Sequence, residues 1–136
     1  MSTRKSIWAV VAAFLLSNIL TTAYYMLTDE ANMVPYRRES INYAALLANH
    51  LIYAALFVHL FVSYYQQRPQ LSRGFLYGVL MAAVMFVPQA LVVRGIWKVD
   101  INTILFINSL AHLLIGGIMG VVTALIYGKQ RVGEAA

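Results

Sequence analysis

The chain has 136 residues, 61% of them hydrophobic and only 11% charged, with a mean hydropathy of +0.70. A soluble domain carries about 25% charged residues, so this composition excludes an ordinary water-soluble core and points to a bilayer. The formal charge of +5 lies in tails and loops, so it marks topology and anionic headgroups, not nucleic acid, while the lack of cysteine excludes disulfides and thiolate chemistry.

The first predicted element covers residues 7–27, behind Arg4 and Lys5. It is too long for the core of a secretory signal, and TTAYYML at its end offers no small-residue cleavage site, so it reads as a retained span. At about 100° per residue, Asn18, Thr21, Thr22 and Tyr25 share one of its sides. An outer loop, 28–42, follows as TDEANMVPYRRESIN.

The second span, 43–65, contains LLANHLIYAALFVHLF and with it His50 and His59. Nine residues correspond to about 900° and about 13 Å of helix, so the two imidazoles face opposite ways and cannot share one ion. Asn42, Asn49, Tyr53, Leu56 and Leu60 line the side between them. The third span, 75–93, places Gly74, Gly78, Ala82, Met85 and Gln89 on one stripe, and Pro88 predicts a kink because its ring displaces the Val84 carbonyl. The fourth, 104–127, gathers Asn108, Ser109, His112, Gly116, Thr123 and Tyr127, with Gly120 at the edge.

Four spans joined by short connections define an all-α membrane protein, a four-helix transmembrane bundle in one domain over residues 1–136. Arg4, Lys5, Arg68, Arg73, Lys129 and Arg131 lie on one side, against Arg37, Arg38, Arg94 and Lys98 on the other. That excess predicts an N-in/C-in topology, with both termini in the cytoplasm.

Stripes of small and hydrogen-bonding residues predict helix packing through Gly74, Gly78, Ala82, Asn108, Gly116 and Gly120, within the chain or between copies in a homo-oligomer or larger membrane complex. A rival reading uses the histidines. Counted inward from Tyr43 and Ile104, His50 is seven residues deep and His112 eight, whereas His59 is sixteen. Two imidazoles at one level on different helices suit the axial positions of a b-type haem, a proton relay or one transition-metal ion, with His59 auxiliary. In that reading Gly116, Gly117 and Gly120 would open the cleft, and Arg37, Arg38 or Arg94 would meet the propionates. A third reading is a lateral pocket for a lipid, quinone or other apolar ligand beside Tyr53, Pro88 and Gln89.

The spans hold no Asp or Glu, which argues against a proton- or sodium-coupled exporter, since these place a carboxylate at the midplane. No hydrolase, phosphate-loop or metalloprotease motif occurs, so catalysis on a soluble substrate is not expected, and no residues are singled out as a dedicated metal site. The basic N-terminus, long first outer loop, glycine-led GFLYGVLMAA and closing HLLIGGIMGVVTALIYG together resemble the layout of small four-span bacterial inner-membrane proteins without an assigned activity. The resemblance covers most of the chain and implies an inner-membrane location. It transfers no functional residue.

Overall fold

The computed structural model describes residues 3–28, 42–64, 70–96 and 102–128. They form four helices: α1 (Thr3–Leu27), α2 (Tyr43–Tyr64), α3 (Leu71–Ile96) and α4 (Asn102–Tyr127). Each contains a stretch long and apolar enough to cross a membrane. Residues 29–41 of the outer loop and the cations Arg37, Arg38, Arg68, Lys98, Lys129 and Arg131 lie outside the described residues.

Three of the helices, α1, α3 and α4, begin earlier than their apolar runs do, while α2 begins at Tyr43 as expected. Thr3, Arg4 and Lys5 are already helical in α1, and α3 starts at Leu71, with the Gly74 amide donating to the Gln70 carbonyl at 2.9 Å. Backbone bonding ignores side-chain polarity, so a helix continues into the interface while its charged tips reach for water. Asn42 starts α2: its Oδ1 accepts from the Ala45 amide at 3.0 Å, the bond of an N-cap. Gly128 ends α4 at φ 67, a left-handed position, and its amide donates to the Ala124 carbonyl at 3.0 Å. Pro88 sits inside α3, which runs on past it to Ile96.

The helices run alternately up and down. Gly74 meets Gly120 and Gly78 meets Gly116, so α3 and α4 are antiparallel. Ser6, near the start of α1, bonds Tyr127, at the end of α4, so these two are antiparallel as well. Rings pair Phe61 with Tyr77 and Tyr53 with Phe86, which sets α2 against α3 in the same sense. The α3–α4 interface is the most extensive, and α1 packs against both α4 and α2.

The α3–α4 contact is backbone on backbone. A Cβ added to Gly74 would stand 2.6 Å from the Gly120 carbonyl oxygen, and one on Gly116 would stand 2.5 Å from that of Gly78. Added at Gly78 or Gly120, it would strike the carbonyls of Gly116 or Gly74 closer still. Ala82 and Ala124 extend the two rows, so Gly74, Gly78 and Ala82 interlock with Gly116, Gly120 and Ala124. In hydrocarbon, where no hydrophobic force joins helices, this closeness supplies dispersion contact along both backbones.

The inward faces of α1 and α2 differ from those expected. On α1 the buried residues are Ala9, Ala13 and Ser17, a second small-residue row at four-residue spacing. Asn18 and Thr21 lie at its margin, while Thr22 and Tyr25 are exposed. On α2 the core takes Tyr53, Ala54, Phe57, Val58 and Phe61, whereas Asn49, Leu56 and Leu60 are exposed. Large rings fill more space between helices than Asn does, and they set the rotation of α2. Outward, Leu51, Ile52, Leu56, Leu76, Leu80, Val84, Leu91 and Leu114 present an apolar surface.

Candidate functional site

The bundle interior is a column of rings contributed by all four helices. Tyr24 and Tyr25 of α1 approach His112 of α4 with centroids 6.2 and 6.4 Å away. His112 lies flat on Phe86 of α3, with centroids 3.9 Å apart and planes 6° from parallel. Phe86 meets Tyr53 at 6.4 Å, and Tyr53 meets Phe57 at 5.8 Å. Tyr77 stands between Phe57 and Phe61, 5.1 Å from each. Phe61 stacks on Tyr127 at 5.9 Å. Most of these pairs are edge-to-face, the arrangement in which a ring's positive rim meets the negative face of its neighbour.

Polar groups along the column divide into satisfied and unsatisfied ones. The Tyr77 hydroxyl donates to the Phe57 carbonyl at 2.7 Å, tying α3 to α2. At one end the Tyr127 hydroxyl bonds Ser6 Oγ at 3.0 Å, and Lys5 Nζ donates to the Tyr127 carbonyl at 3.3 Å. A lysine there also faces the negative end of α4. Other hydroxyls and amides bond their own helix. Asn18 Nδ2 and Ser17 Oγ both donate to the Phe14 carbonyl, at 2.8 and 3.0 Å, and Thr123 Oγ1 donates to Met119 at 2.8 Å. Back-bonding of this kind is locally available to short polar side chains, so it competes with the interhelical bonds expected of Asn18 and Thr123.

His50 and His112 sit in adjacent niches. His50 Nδ1 lies 3.1 Å from Ser17 Oγ on α1, and the ring is half-buried. His112 is buried between Phe86 and the Tyr24–Tyr25 pair. Ser17 and Tyr24 are seven residues apart, about 10 Å along α1. Both histidines lean on α1, His50 at Ser17 and His112 at the Tyr24–Tyr25 pair. His59 is exposed on the far side of α2, apart from either of them.

The glycine cleft expected for a haem is filled. Gly116 and Gly120 press on the backbone of Gly78 and Gly74, and the Phe75 ring covers Gly117. The charged partners suggested for propionates fall outside the description: Arg37 and Arg38 lie in the undescribed loop, and the Arg94 side chain is not described. Among the described residues, no three of His, Cys, Asp or Glu come together.

Among the described residues, two buried side-chain polar atoms have no partner, the Tyr53 hydroxyl and Asn108 Oδ1. Tyr53 is 7% exposed. Pro88, grouped with it from the sequence, is exposed on α3, and the Gln89 side chain is not described. Asn108 lies one turn from His112 on the same face of α4. Neither orphan was recognisable as such from the sequence, because a lack of partners is a property of the packed neighbourhood.

Fold and site together define an all-helical bundle whose helices qualify as membrane spans, with an aromatic interior and a few isolated polar groups. Comparison with family profiles, with curated proteins and with solved structures gives no match in any of the three.

Proposed function

We propose that the chain is a non-enzymatic, multi-pass protein of a bacterial inner membrane, with both termini cytoplasmic, serving as an accessory helical-bundle subunit. The supporting observation is the reciprocal contact of Gly78 with Gly116 and Gly74 with Gly120. Small-residue rows that would otherwise serve self-association are engaged with each other inside one chain. The outward faces are left to Leu, Ile and Val, which meet lipid and the other members of a membrane complex. Orientation rests on the lysine and arginine excess on the side of the termini.

Extraction in mild detergent, followed by size-exclusion chromatography with light scattering, tests this reading. The expected result is a single copy of the chain, alone or bound at fixed stoichiometry to a different membrane protein. Gly78→Leu should then unfold that single copy. A homo-oligomer that falls to intact, folded monomers on Gly78→Leu would instead place the glycine rows between copies and overturn it.

A second reading, binding of an apolar ligand, is favoured by the unpartnered Tyr53 hydroxyl and Asn108 Oδ1. The haem reading through His50 and His112 has less support, since the glycines that would open its cleft are in backbone or ring contact.

A further inference from the structure

We propose that the Tyr53–Asn108–His112 end of the ring column binds the head of a quinol or quinone, a planar ring bearing oxygen atoms on opposite edges. The inference rests on the reading of the chain as a membrane-embedded bundle and names a ligand class for it.

The Tyr53 hydroxyl and Asn108 Oδ1 are the two buried side-chain atoms without a hydrogen-bond partner among the described residues. Buried from solvent, each is a standing cost that an apolar residue of similar shape would avoid. They bracket one feature. Phe86 touches the Tyr53 ring on one side and lies flat on His112 on the other, and Asn108 is one turn from His112.

The chemistry of the two orphans is complementary to one kind of molecule. Asn108 Oδ1 can only accept, so it calls for a ligand hydroxyl. The Tyr53 hydroxyl donates or accepts and suits either a carbonyl or a hydroxyl oxygen. Around them lie the rings of Phe86, stacked on His112, and of Tyr24, aromatic surroundings whose edges and free faces suit a planar ring better than an aliphatic ligand. A lipid phosphate fits poorly here, because no cation is among these residues. A quinol has the required ring, with oxygens at both ends.

Two sources share this head chemistry, a membrane quinone with an isoprenoid tail and a free phenolic compound. The test uses the full-length protein in phospholipid nanodiscs lacking quinone, titrated with a short-tailed ubiquinone analogue and, separately, with tail-less hydroquinone. Binding is read by calorimetry and by quenching of intrinsic fluorescence. Saturable binding of the tailed probe, with the tail-less one much weaker, assigns the site to membrane quinones. Equal binding of both assigns it to the ring alone, which supports the same head chemistry from the free source.

Tyr53→Phe and Asn108→Leu should each weaken binding about tenfold, the loss of one hydrogen bond. Without ligand, Tyr53→Phe should leave the melting temperature unchanged or raised, since it removes an unpaired hydroxyl. A purely structural role for Tyr53 predicts the opposite pair of results. Absence of saturable binding to either probe, with helicity intact by circular dichroism, overturns the inference, as does binding indifferent to both substitutions. The oligomeric and partner measurements are independent of these outcomes, so the accessory-subunit reading stands or falls separately.

Discussion

Gly78 and Gly116 touch through their backbones, each standing where the other's Cβ would be. Together with Gly74 and Gly120 they bring α3 and α4 closer than any side chain permits, and the most extensive interface in the bundle forms around them. The remaining helices are held differently: α1 through its Ala9–Ala13–Ser17 row, and α2 largely through rings.

Substitutions on the two helices should therefore differ sharply in cost. Gly78→Ala drives a methyl group into the Gly116 carbonyl, and relief requires the helices to move apart. We expect a loss of about 3 kcal/mol, at the upper end of ordinary overpacking. Gly117→Ala meets the Phe75 ring first, which is 41% exposed and can swing outward, so about 1 kcal/mol is expected. Reversible unfolding in mixed micelles would check the contrast, and equal costs would contradict the backbone contact.

Tyr77→Phe removes the hydroxyl that reaches the Phe57 carbonyl while keeping the ring between Phe57 and Phe61. The expected cost is about 1 kcal/mol, since the Phe57 carbonyl retains its helical partner. Tyr77→Ala should cost about 3 kcal/mol or more, because a buried ring is lost with the bond. The same unfolding assay separates the two. A Phe variant as damaged as the Ala variant would mean that the hydroxyl, not the ring, joins α2 to α3.

His112 contributes through its face. Stacked on Phe86 at 3.9 Å, it should be replaceable by Phe with little loss, whereas His112→Leu should cost about 1 kcal/mol from the lost ring pair. A His112→Phe variant that fails to fold would show that a ring nitrogen, and not the stacking surface, matters for the fold.

An absorption spectrum of the purified protein, oxidised and then dithionite-reduced, is expected to show no Soret band. Backbone and ring contacts at Gly116, Gly117 and Gly120 close the gap in which a tetrapyrrole would lie. A Soret band lost in both His50→Ala and His112→Ala variants would reverse that expectation.

Because the chain has no cysteine, single-cysteine variants report topology without background. Cysteine at Lys129 should be shielded from a membrane-impermeant maleimide in intact cells, and cysteine at Glu30 should react. The opposite pattern would place the termini outside and show that the small lysine and arginine excess does not govern insertion.

Residue type and spacing alone determined the four apolar helices, because a span must be long, uncharged and internally hydrogen-bonded whatever surrounds it. The same was true of the separation of His50 from His59, since helix geometry sets both angle and rise. The four-residue rhythm of Gly74, Gly78 and Ala82, and of Gly116 and Gly120, was visible in the same way. Whether those rows meet each other or another copy depends on how the helices are arranged, and only the antiparallel pairing of α3 with α4 placed them in contact. The rotation of α1 and α2 was likewise decided in three dimensions. Ala9, Ala13 and Ser17 face inward because small surfaces admit a close neighbour, and Phe57 and Phe61 because large rings fill the space between helices. The pairing of His112 with Phe86, and the isolation of the Tyr53 hydroxyl and Asn108 Oδ1, are relations among different helices. Such relations have no local signature, since a hydrogen bond or its absence depends on what the rest of the chain brings alongside.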